Sequence, residues 1–191
     1  MIGYTKRSSC ALCHSEVFDE LLDLGEVPLA GYFPNKDELG KVSKYPLSLL
    51  FCNNCKLVQT DSVIDPDILF KDYRYISSIG LKDHFRDAAN LLDKKYDVKG
   101  KKILEIGCND GVLLEPLVEL GAIAEGVDPA ENITKIARSK GLKVHNTYFN
   151  YENFNSKEFN SSYDLVLSNN AFAHIVDILE VVKGINFILK D

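Results

Sequence analysis

Four short segments in the second half of the chain are predicted strands, and the first of them is an apolar run typical of a buried parallel strand. They lie at residues 103–106, 122–128, 143–145 and 163–167. Between them apolar residues recur at helical spacing, which predicts helices at residues 112–120, 131–140 and 175–189. This alternation predicts a doubly wound α/β sheet of order 3-2-1-4, whose ligand crevice lies beyond the carboxyl ends of the strands.

The first half of the chain has shorter signals. Tyr45 to Phe51 alternates well enough to be a strand that ends at Cys52, and residues 57–60 are its predicted hairpin partner. Asp65 and Pro66 are typical of a helix N-terminus, so a short helix is expected there. Residues 80–96 have the apolar spacing of an amphipathic helix that packs on the sheet.

Composition limits the class of protein. The chain has 191 residues, of which 46% are hydrophobic and 26% charged, with a formal net charge of −6. No apolar run approaches the length of a membrane span and no leader pattern opens the chain, so we expect a cytoplasmic protein that does not insert into a membrane. The acidic balance argues against a phosphate-tracking nucleic-acid surface.

Four of the five cysteines form two C-x-x-C pairs, Cys10/Cys13 and Cys52/Cys55, separated by 38 residues. Two such pairs can close a tetrahedral thiolate shell, which predicts one structural zinc ion with no open position for catalysis. Three alternatives to zinc fit less well. A c-type haem attachment at Cys10 to His14 would require export. Structural disulfides are disfavoured in a reducing compartment, and a thioredoxin-like redox motif needs only one C-x-x-C pair. His14 is either a solvated neighbour or a substitute ligand, and Cys108 is expected to pack as a small residue.

The turn after the first strand of the second half has the spacing E-x-G-x-x-x-G from Glu105 to Gly111. Its glycines allow positive φ angles and close approach of a ligand, but Glu105 and Asp110 would repel a pyrophosphate. A sulfonium cofactor with an ammonium group suits these carboxylates better. Asp128, 21 positions after Gly107, stands where a ribose diol would be bound. The pattern therefore favours S-adenosylmethionine over NAD.

Two further groups of residues have alternative interpretations. The aromatic and hydroxyl-rich stretch Tyr73 to Ser78 is either packing between domains or a wall of the cofactor pocket. The turn 168–174 ends in His174, which either caps or packs at the start of a helix or titrates beside the crevice.

Several motifs together resemble the sugar C-methyltransferases. They are the two Cys-x-x-Cys pairs, the second continuing as Leu57-Val-Gln59, and the stretches Asp23 to Ala30, Tyr45 to Leu47, Phe70 to Ser78, Leu104 to Gly111, Gly126 to Pro129 and Ala173 to Ile175. The resemblance implies methylation, by S-adenosylmethionine, of a carbon next to the ketone of a nucleotide-linked deoxysugar. It also implies a small four-cysteine zinc-binding module (residues 1–78, with linker) followed by a partial Rossmann-like class I methyltransferase domain (residues 79–191).

The resemblance also suggests roles for individual residues. It implies zinc on Cys10, Cys13, Cys52 and Cys55, and catalytic-pocket roles for Tyr75 and His174. The complete set of candidate cofactor residues is Glu105, Gly107, Asn109, Asp110, Gly111, Asp128, Pro129 and Asn169.

The family members continue for about as many residues again, with the rest of the sheet, the general base and a further domain. We therefore expect either a truncated product or a second polypeptide that completes the fold, and self-association or poor solubility through the edge strand 163–167. Two rival functions remain at this point: a zinc-stabilised RNA methyltransferase, for which the basic face is missing, and a non-catalytic binding module.

Overall fold

The computed structural model describes residues 3–31, 33–71 and 73–191, which form two compact units that meet between Leu69 and Phe70. The sequence places the domain boundary after residue 78, and that boundary stays a prediction. In the structure the second unit begins earlier, at Phe70. No helix among the described residues is long and apolar enough to cross a membrane.

The first unit contains two small antiparallel sheets. Strands β1 and β5 form one, and β2, β3 and β4 form the other in that order. The strands are β1 Tyr4–Lys6, β2 Phe18–Pro28, β3 Lys44–Cys52, β4 Val58–Thr60 and β5 Ser62–Ile64. The predicted hairpin of β3 and β4 is present, with Leu49 opposite Thr60 and Phe51 opposite Val58. β1, β2 and β5 were not predicted.

Helix α1, Pro66–Phe70, starts where the sequence indicates. The Asp65 carboxylate accepts a hydrogen bond from the Asp67 amide at 3.0 Å, which satisfies one of the free N–H groups of the first turn. Pro66 occupies the first helical position, where its missing N–H costs nothing.

The second unit is a four-stranded parallel sheet of order β8-β7-β6-β9. The strands are β6 Lys102–Ile106, β7 Ile123–Val127, β8 Lys143–His145 and β9 Leu165–Leu167. The predicted order 3-2-1-4 is confirmed. The helices are α2 Ser78–Tyr96, α3 Leu114–Glu119, α4 Glu131–Ser139, α5 Tyr151–Phe154 and α6 Ile178–Ile188.

Two apolar cores cover the two faces of this sheet. Ile103 belongs to one core, with Phe85 and Ala89 of α2 and Leu117 of α3. Leu104 and Ile106 belong to the other, with Phe154 of α5 and Val181 and Ile188 of α6. Successive strand residues point to opposite faces, so β6 contributes to both cores and is the central strand of an α/β/α sandwich.

A charged cluster lies within the sheet on β7. The Glu125 carboxylate, 3% exposed as a residue, is 2.9 Å from Lys143 Nζ and 3.1 Å from His145 Nε2, both on β8. The Tyr163 hydroxyl also donates to Glu125 Oε2 at 3.1 Å. Although burial acts in the opposite direction, the hydrogen bonds from His145 and Lys143 hold the pKa of Glu125 at about 2.

The segments beside β9 differ from the sequence-based expectation. The amide of Tyr163 donates to the Ile188 carbonyl at 3.0 Å, and the amide of Lys190 donates to the Tyr163 carbonyl at 3.0 Å. The backbone of Tyr163, predicted to lack an outer partner, is therefore paired through a parallel bridge to Leu189. Helix α6 starts only after Asp177, whose carboxylate accepts from the Glu180 amide at 3.1 Å.

Candidate functional site

The four predicted zinc ligands lie together in the first unit. Their Sγ atoms are all within 4.8 Å of one another, with Cys10 to Cys55 at 3.6 Å and Cys13 to Cys52 at 3.5 Å. A tetrahedron with zinc–sulfur bonds of about 2.3 Å has sulfur–sulfur edges of about 3.8 Å, so the arrangement suits the ion. All four cysteines are free thiols, and His14 is exposed and outside the cluster.

The two knuckles repeat one backbone geometry. The residue after each second cysteine has a positive φ, 59° at His14 and 69° at Lys56. Its amide donates to the carbonyl of the first cysteine, at 3.0 Å to Cys10 and at 2.9 Å to Cys52. A hydrogen bond from the Asn54 side chain, with help from the Ser15 backbone, lowers the pKa of Cys13 to about 6, which favours a thiolate at this position. Against a backbone hydrogen bond from Leu57, burial and the neighbouring thiols raise the pKa of Cys55 to about 12, so the metal-free cluster does not hold four thiolates at neutral pH.

The turn after β6 has the backbone that the glycine pattern predicts. Gly107 and Gly111 have φ values of 73° and 80°, and Asn109 between them is also left-handed at 49°. A Cβ on Gly107 would lie 2.4 Å from Ala171 Cβ, so this glycine allows the loop after β9 to approach the turn. A Cβ on Gly111 would lie 2.3 Å from Leu142 Cδ1, so this position serves packing.

Glu105 has a strongly perturbed carboxyl group. It lies at the end of β6, 3% exposed, and its Oε1 accepts from Asn169 Nδ2 at 3.2 Å. Its Oε2 is buried without a hydrogen-bond partner among the described residues. Burial, with the nearby charges of Asp128 and Asp110, raises the pKa of Glu105 to about 8. A buried carboxylate with one unpaired oxygen is suited to a cationic ligand group.

Asp128 follows β7 and links two turns. Its Oδ2 accepts from the Asn109 amide at 3.0 Å and its Oδ1 accepts from the Ala130 amide at 2.9 Å. Burial raises the pKa of Asp128, and these two backbone hydrogen bonds act in the opposite direction. Each oxygen keeps a lone pair, so a diol could still bind there. Pro129 is half-buried beside it.

Asp110 faces a different set of partners. It is fully buried, its Oδ1 accepts from the Ser78 amide at 3.2 Å, and its Oδ2 lies 3.3 Å from Lys140 Nζ. Both oxygens are thus engaged by groups of α2 and of the residue after α4. Cys108 is buried against Gly126, and its pKa is raised well above the usual range by burial, so it packs as predicted.

The segment Tyr73–Ser78, in the second unit, is bound to the turn after β6. Asn109 Nδ2 donates to the Tyr75 carbonyl at 2.9 Å, and Asn109 Oδ1 accepts from the Ser77 amide at 2.9 Å. Asn132 of α4 makes a similar pair with Tyr73, donating to its carbonyl at 2.8 Å and accepting from its amide at 3.3 Å. Burial first, then the charge of Asp128, raises the pKa of Tyr73.

His174 does not begin a helix, as one interpretation of the sequence had it. It ends a short 3-10 turn, Phe172–His174, and is exposed. Its ring centroid is 6.5 Å from that of Phe70, which in turn is 6.2 Å from that of Tyr73. Tyr75 is 52% exposed. Both predicted pocket residues therefore present side-chain surface to solvent.

Three polar residues of this site were not singled out from the sequence. Asn132 binds Tyr73, Asn146 Nδ2 donates to the carbonyls of Asp128 and Pro129 at 3.0 and 2.9 Å, and the buried Ser168 Oγ has no partner among the described residues. Each follows a strand or begins a helix at the carboxyl edge of the sheet. Their position at this edge is the sequence feature that could have identified them as site residues.

The family described as "Methyltransferase domain" matches residues 83–191. The chain belongs to this methyltransferase family. The family described as "Putative zinc binding domain" matches residues 10–70, a range that contains all four clustered cysteines. The predicted combination of a zinc module with a methyltransferase domain is therefore confirmed.

Relatives and solved structures agree with this assignment. The chain is 31% identical to C-methyltransferase NovU of Streptomyces niveus over 94% of this chain and 44% of that protein. It is 28% identical to the ubiquinone biosynthesis O-methyltransferase of Ruegeria pomeroyi over 66% of this chain and 53% of that protein. The chain thus spans about half the length of these curated relatives.

A solved structure from Methanococcus maripaludis, described as a "putative s-adenosyl-l-methionine-dependent methyltransferase", superposes with a TM-score of 0.51 at 16% identity, covering 60% of this chain and 55% of that one. The class I methyltransferase fold predicted from the sequence is confirmed by this superposition and by the parallel sheet.

Proposed function

We propose that this chain binds S-adenosylmethionine and takes part in C-methylation of a nucleotide-linked keto-deoxysugar. The observation that carries the proposal is the similarity to C-methyltransferase NovU, which extends over 94% of the chain. That length requires both the zinc module and the methyltransferase domain to take part in the match. The similarity to the O-methyltransferase covers only 66% of the chain.

The cofactor residues we propose are those predicted from the sequence. Their geometry suggests which group of the cofactor each of them would contact. The unpaired Oε2 of Glu105 would accept from the ammonium group of the cofactor, and Asp128 would accept from the ribose diol. Gly107 lets the loop after β9 approach the turn, and Gly111 lets Leu142 pack against it. When bound, S-adenosylmethionine supplies a methyl group on a positively charged sulfur.

Asn169 positions Glu105 through its hydrogen bond, and Pro129 shapes the turn beside Asp128. Asn109 and Asp110 remain candidate cofactor residues through their backbone, since their side chains have partners within the protein. This division leaves Glu105 and Asp128 as the two side chains whose loss should reduce cofactor affinity most.

Tyr75 and His174 are the proposed residues on the substrate side. Both are exposed, and the aromatic contacts through Phe70 connect the His174 turn with the segment that carries Tyr75. In C-methylation, the substrate loses the proton next to its ketone and gains a methyl group at the same carbon, while the sulfonium becomes an uncharged thioether. A hydroxyl and an imidazole can orient the ketone and exchange protons with the sugar.

Zinc on Cys10, Cys13, Cys52 and Cys55 is proposed to be structural. Four thiolates complete the coordination of the ion, so neither water nor substrate can bind to it. The metal would hold together a unit whose two sheets have few buried apolar side chains, since Cys10 and Cys52 are the buried hydrophobic residues of that unit among those described.

The remaining partners are proposed by chemistry. The net charge of −6 suits a small substrate better than RNA, so nucleic acid and membrane are not proposed as partners. A cytoplasmic location and association with a second polypeptide or a second copy remain predictions.

The decisive experiment compares acceptors. The full-length natural protein is incubated with methyl-labelled S-adenosylmethionine and a keto-deoxysugar nucleotide, the same nucleotide with the ketone reduced to an alcohol, or a phenol. We expect transfer to carbon with the keto-sugar alone, because only its ketone makes a neighbouring C–H acidic enough to lose its proton, whereas a phenol loses its O–H proton and would be methylated on oxygen. Equal transfer to the reduced sugar, or preferred transfer to the phenol, would contradict the proposal.

A further inference from the structure

The segment Tyr73–Ser78 carries two aromatic side chains and has no regular secondary structure before α2 begins at its last residue. Its backbone is nevertheless held by three side chains of the methyltransferase unit. Asn132 binds both polar groups of Tyr73, Asn109 binds the Tyr75 carbonyl and the Ser77 amide, and Asp110 accepts from the Ser78 amide. A side-chain amide that bonds to one N–H and one C=O replaces the ladder of a neighbouring strand.

Asn109 is the member of this set that also contacts the proposed ribose site. Its backbone amide donates to Asp128 Oδ2 at 3.0 Å while its side chain holds Tyr75 and Ser77, each at 2.9 Å. The residue is 7% exposed and has a φ of 49°, which places it among the few non-glycine residues with left-handed backbone. Asparagine tolerates this conformation better than most residues.

We propose that Asn109 is a positioning residue that couples cofactor binding at Asp128 to the order of the Tyr73–Ser78 segment. The coupling runs through a single residue: its amide is fixed by the carboxylate that binds the ribose, and its side chain fixes the two residues on either side of Ile76. This deepens the proposed function, on which its cofactor step rests, by giving Asn109 a role that does not require its side chain to touch the cofactor.

The variant Asn109→Gly isolates that role. Glycine keeps the positive φ and the amide that binds Asp128, and it removes only the two side-chain hydrogen bonds. Asn109→Asp keeps an acceptor for the Ser77 amide and removes the donor to the Tyr75 carbonyl. Asp97→Gly is the matched control, since Asp97 has the same φ of 49°, is exposed, and follows the last residue of α2.

Amide hydrogen exchange measures how well the backbone amides of the Tyr73–Ser78 segment are protected, and it needs no ligand. In Asn109→Gly we expect the Ser77 amide to exchange about tenfold faster, the factor that corresponds to one lost hydrogen bond. The amides of β6 should be unchanged. Asn109→Asp should retain most of the Ser77 protection, and Asp97→Gly should retain all of it. Unchanged exchange at Ser77 in Asn109→Gly would overturn the proposal.

The second arm adds S-adenosylhomocysteine as the probe. In the wild type we expect slower exchange at Ser77 and Ser78, and in Asn109→Gly slower exchange around Asp128 without the change at Ser77. Equal slowing at Ser77 in both proteins would show that the coupling bypasses Asn109. Absence of any binding by the wild type would count against the proposed function alone, because the first arm needs no ligand.

Discussion

Asn169 Nδ2 donates to only one oxygen of the Glu105 carboxyl group, Oε1, at 3.2 Å, and leaves Oε2 buried and unpaired among the described residues. An unpaired buried carboxylate oxygen is costly, and the raised pKa of about 8 for Glu105 reflects that cost. The free protein therefore keeps a proton on Glu105 near neutral pH. A cationic ligand group would replace that proton.

The first prediction concerns pH. Between the ordinary carboxyl pKa of 4.5 and the folded value of about 8, the folded protein holds a proton that the unfolded chain has lost. Stability from this group is therefore complete below pH 4.5 and falls by about 1.4 kcal/mol per pH unit as pH rises towards 8. Denaturant titrations at several pH values should show this slope in the wild type and its loss in Glu105→Gln.

The same substitution should weaken cofactor binding. Glutamine keeps the shape but cannot offer a negative charge, so we expect a loss of about 1.5 to 3 kcal/mol in the calorimetric affinity for S-adenosylmethionine. Wild-type affinity should increase from about pH 6 to about pH 8, as Glu105 loses its proton. Glu131→Gln is the control, because Glu131 is exposed and its carboxylate pairs with Lys135 on the surface of α4. A flat wild-type profile would show that Glu105 does not meet the ligand cation.

The second prediction concerns Asp128. Asp128→Ala removes the acceptor of two backbone amides as well as the proposed ribose contact, so both stability and cofactor affinity should fall, the affinity by about 1 to 3 kcal/mol. Asp164→Ala is a matched control: Asp164 also accepts a backbone amide, that of Lys102 at 2.8 Å, but lies at the other end of β6. It should lose stability and keep affinity. Equal affinity in both variants would refute the ribose assignment.

The third prediction concerns the metal. The purified protein should contain about one equivalent of zinc, and Cys52→Ser should lose it together with the folded first unit, because binding energy at such sites is folding energy. Cys108→Ala should keep the zinc, since Cys108 is buried in the second unit. Metal analysis and far-ultraviolet circular dichroism provide the test. Less than about half an equivalent in the wild type would be evidence against a zinc site.

The fourth prediction compares two glycines with the same backbone. Gly107 and Gly100 have φ values of 73° and 74°, but a Cβ would meet Ala171 only at Gly107. Gly100→Ala should cost about 1 to 2 kcal/mol, the cost of a left-handed alanine. Gly107→Ala should cost more, because the loop after β9 must also move. Denaturant unfolding measures both, and cofactor affinity should fall only in Gly107→Ala. Equal losses of stability in the two variants would mean that the loop after β9 moves away without a free-energy cost.

β6 could be predicted because residues 103–106 are buried and, except for Glu105, apolar. β8 has only Val144 buried and could be predicted from its place between two strand-and-helix units, and the helices that follow the strands have clear apolar spacing. Pro116, which lies in the first turn of α3, explains why regular helix begins at Leu114 and not at the predicted Val112. The end of α6 was also predicted within one residue, but its start was not.

The sequence does not predict β2, the longest of the unpredicted strands, for a physical reason. β2 pairs with β3, but its register shifts between Glu20 and Leu22 and again between Asp23 and Glu26. Each shift breaks the alternation of apolar and polar residues on which strand prediction depends. Long-range amide contacts such as those of Asn132 also have no local signature, because Tyr73 lies 59 positions away in the chain.

The cluster around Glu125 has a consequence for how the sheet assembles. Glu125 lies opposite Lys143 in the parallel pairing of β7 and β8, and its side chain also reaches His145 two residues further along β8. Slippage of β8 by one residue would turn both cations to the other face and leave the buried carboxylate with the Tyr163 hydroxyl and the more distant Lys102, at a cost of up to about 3 to 5 kcal/mol. A three-residue strand with apolar side chains in place of these cations would tolerate such slippage more easily. The charged cluster therefore favours the native register of β7 and β8 over a register that is shifted by one residue.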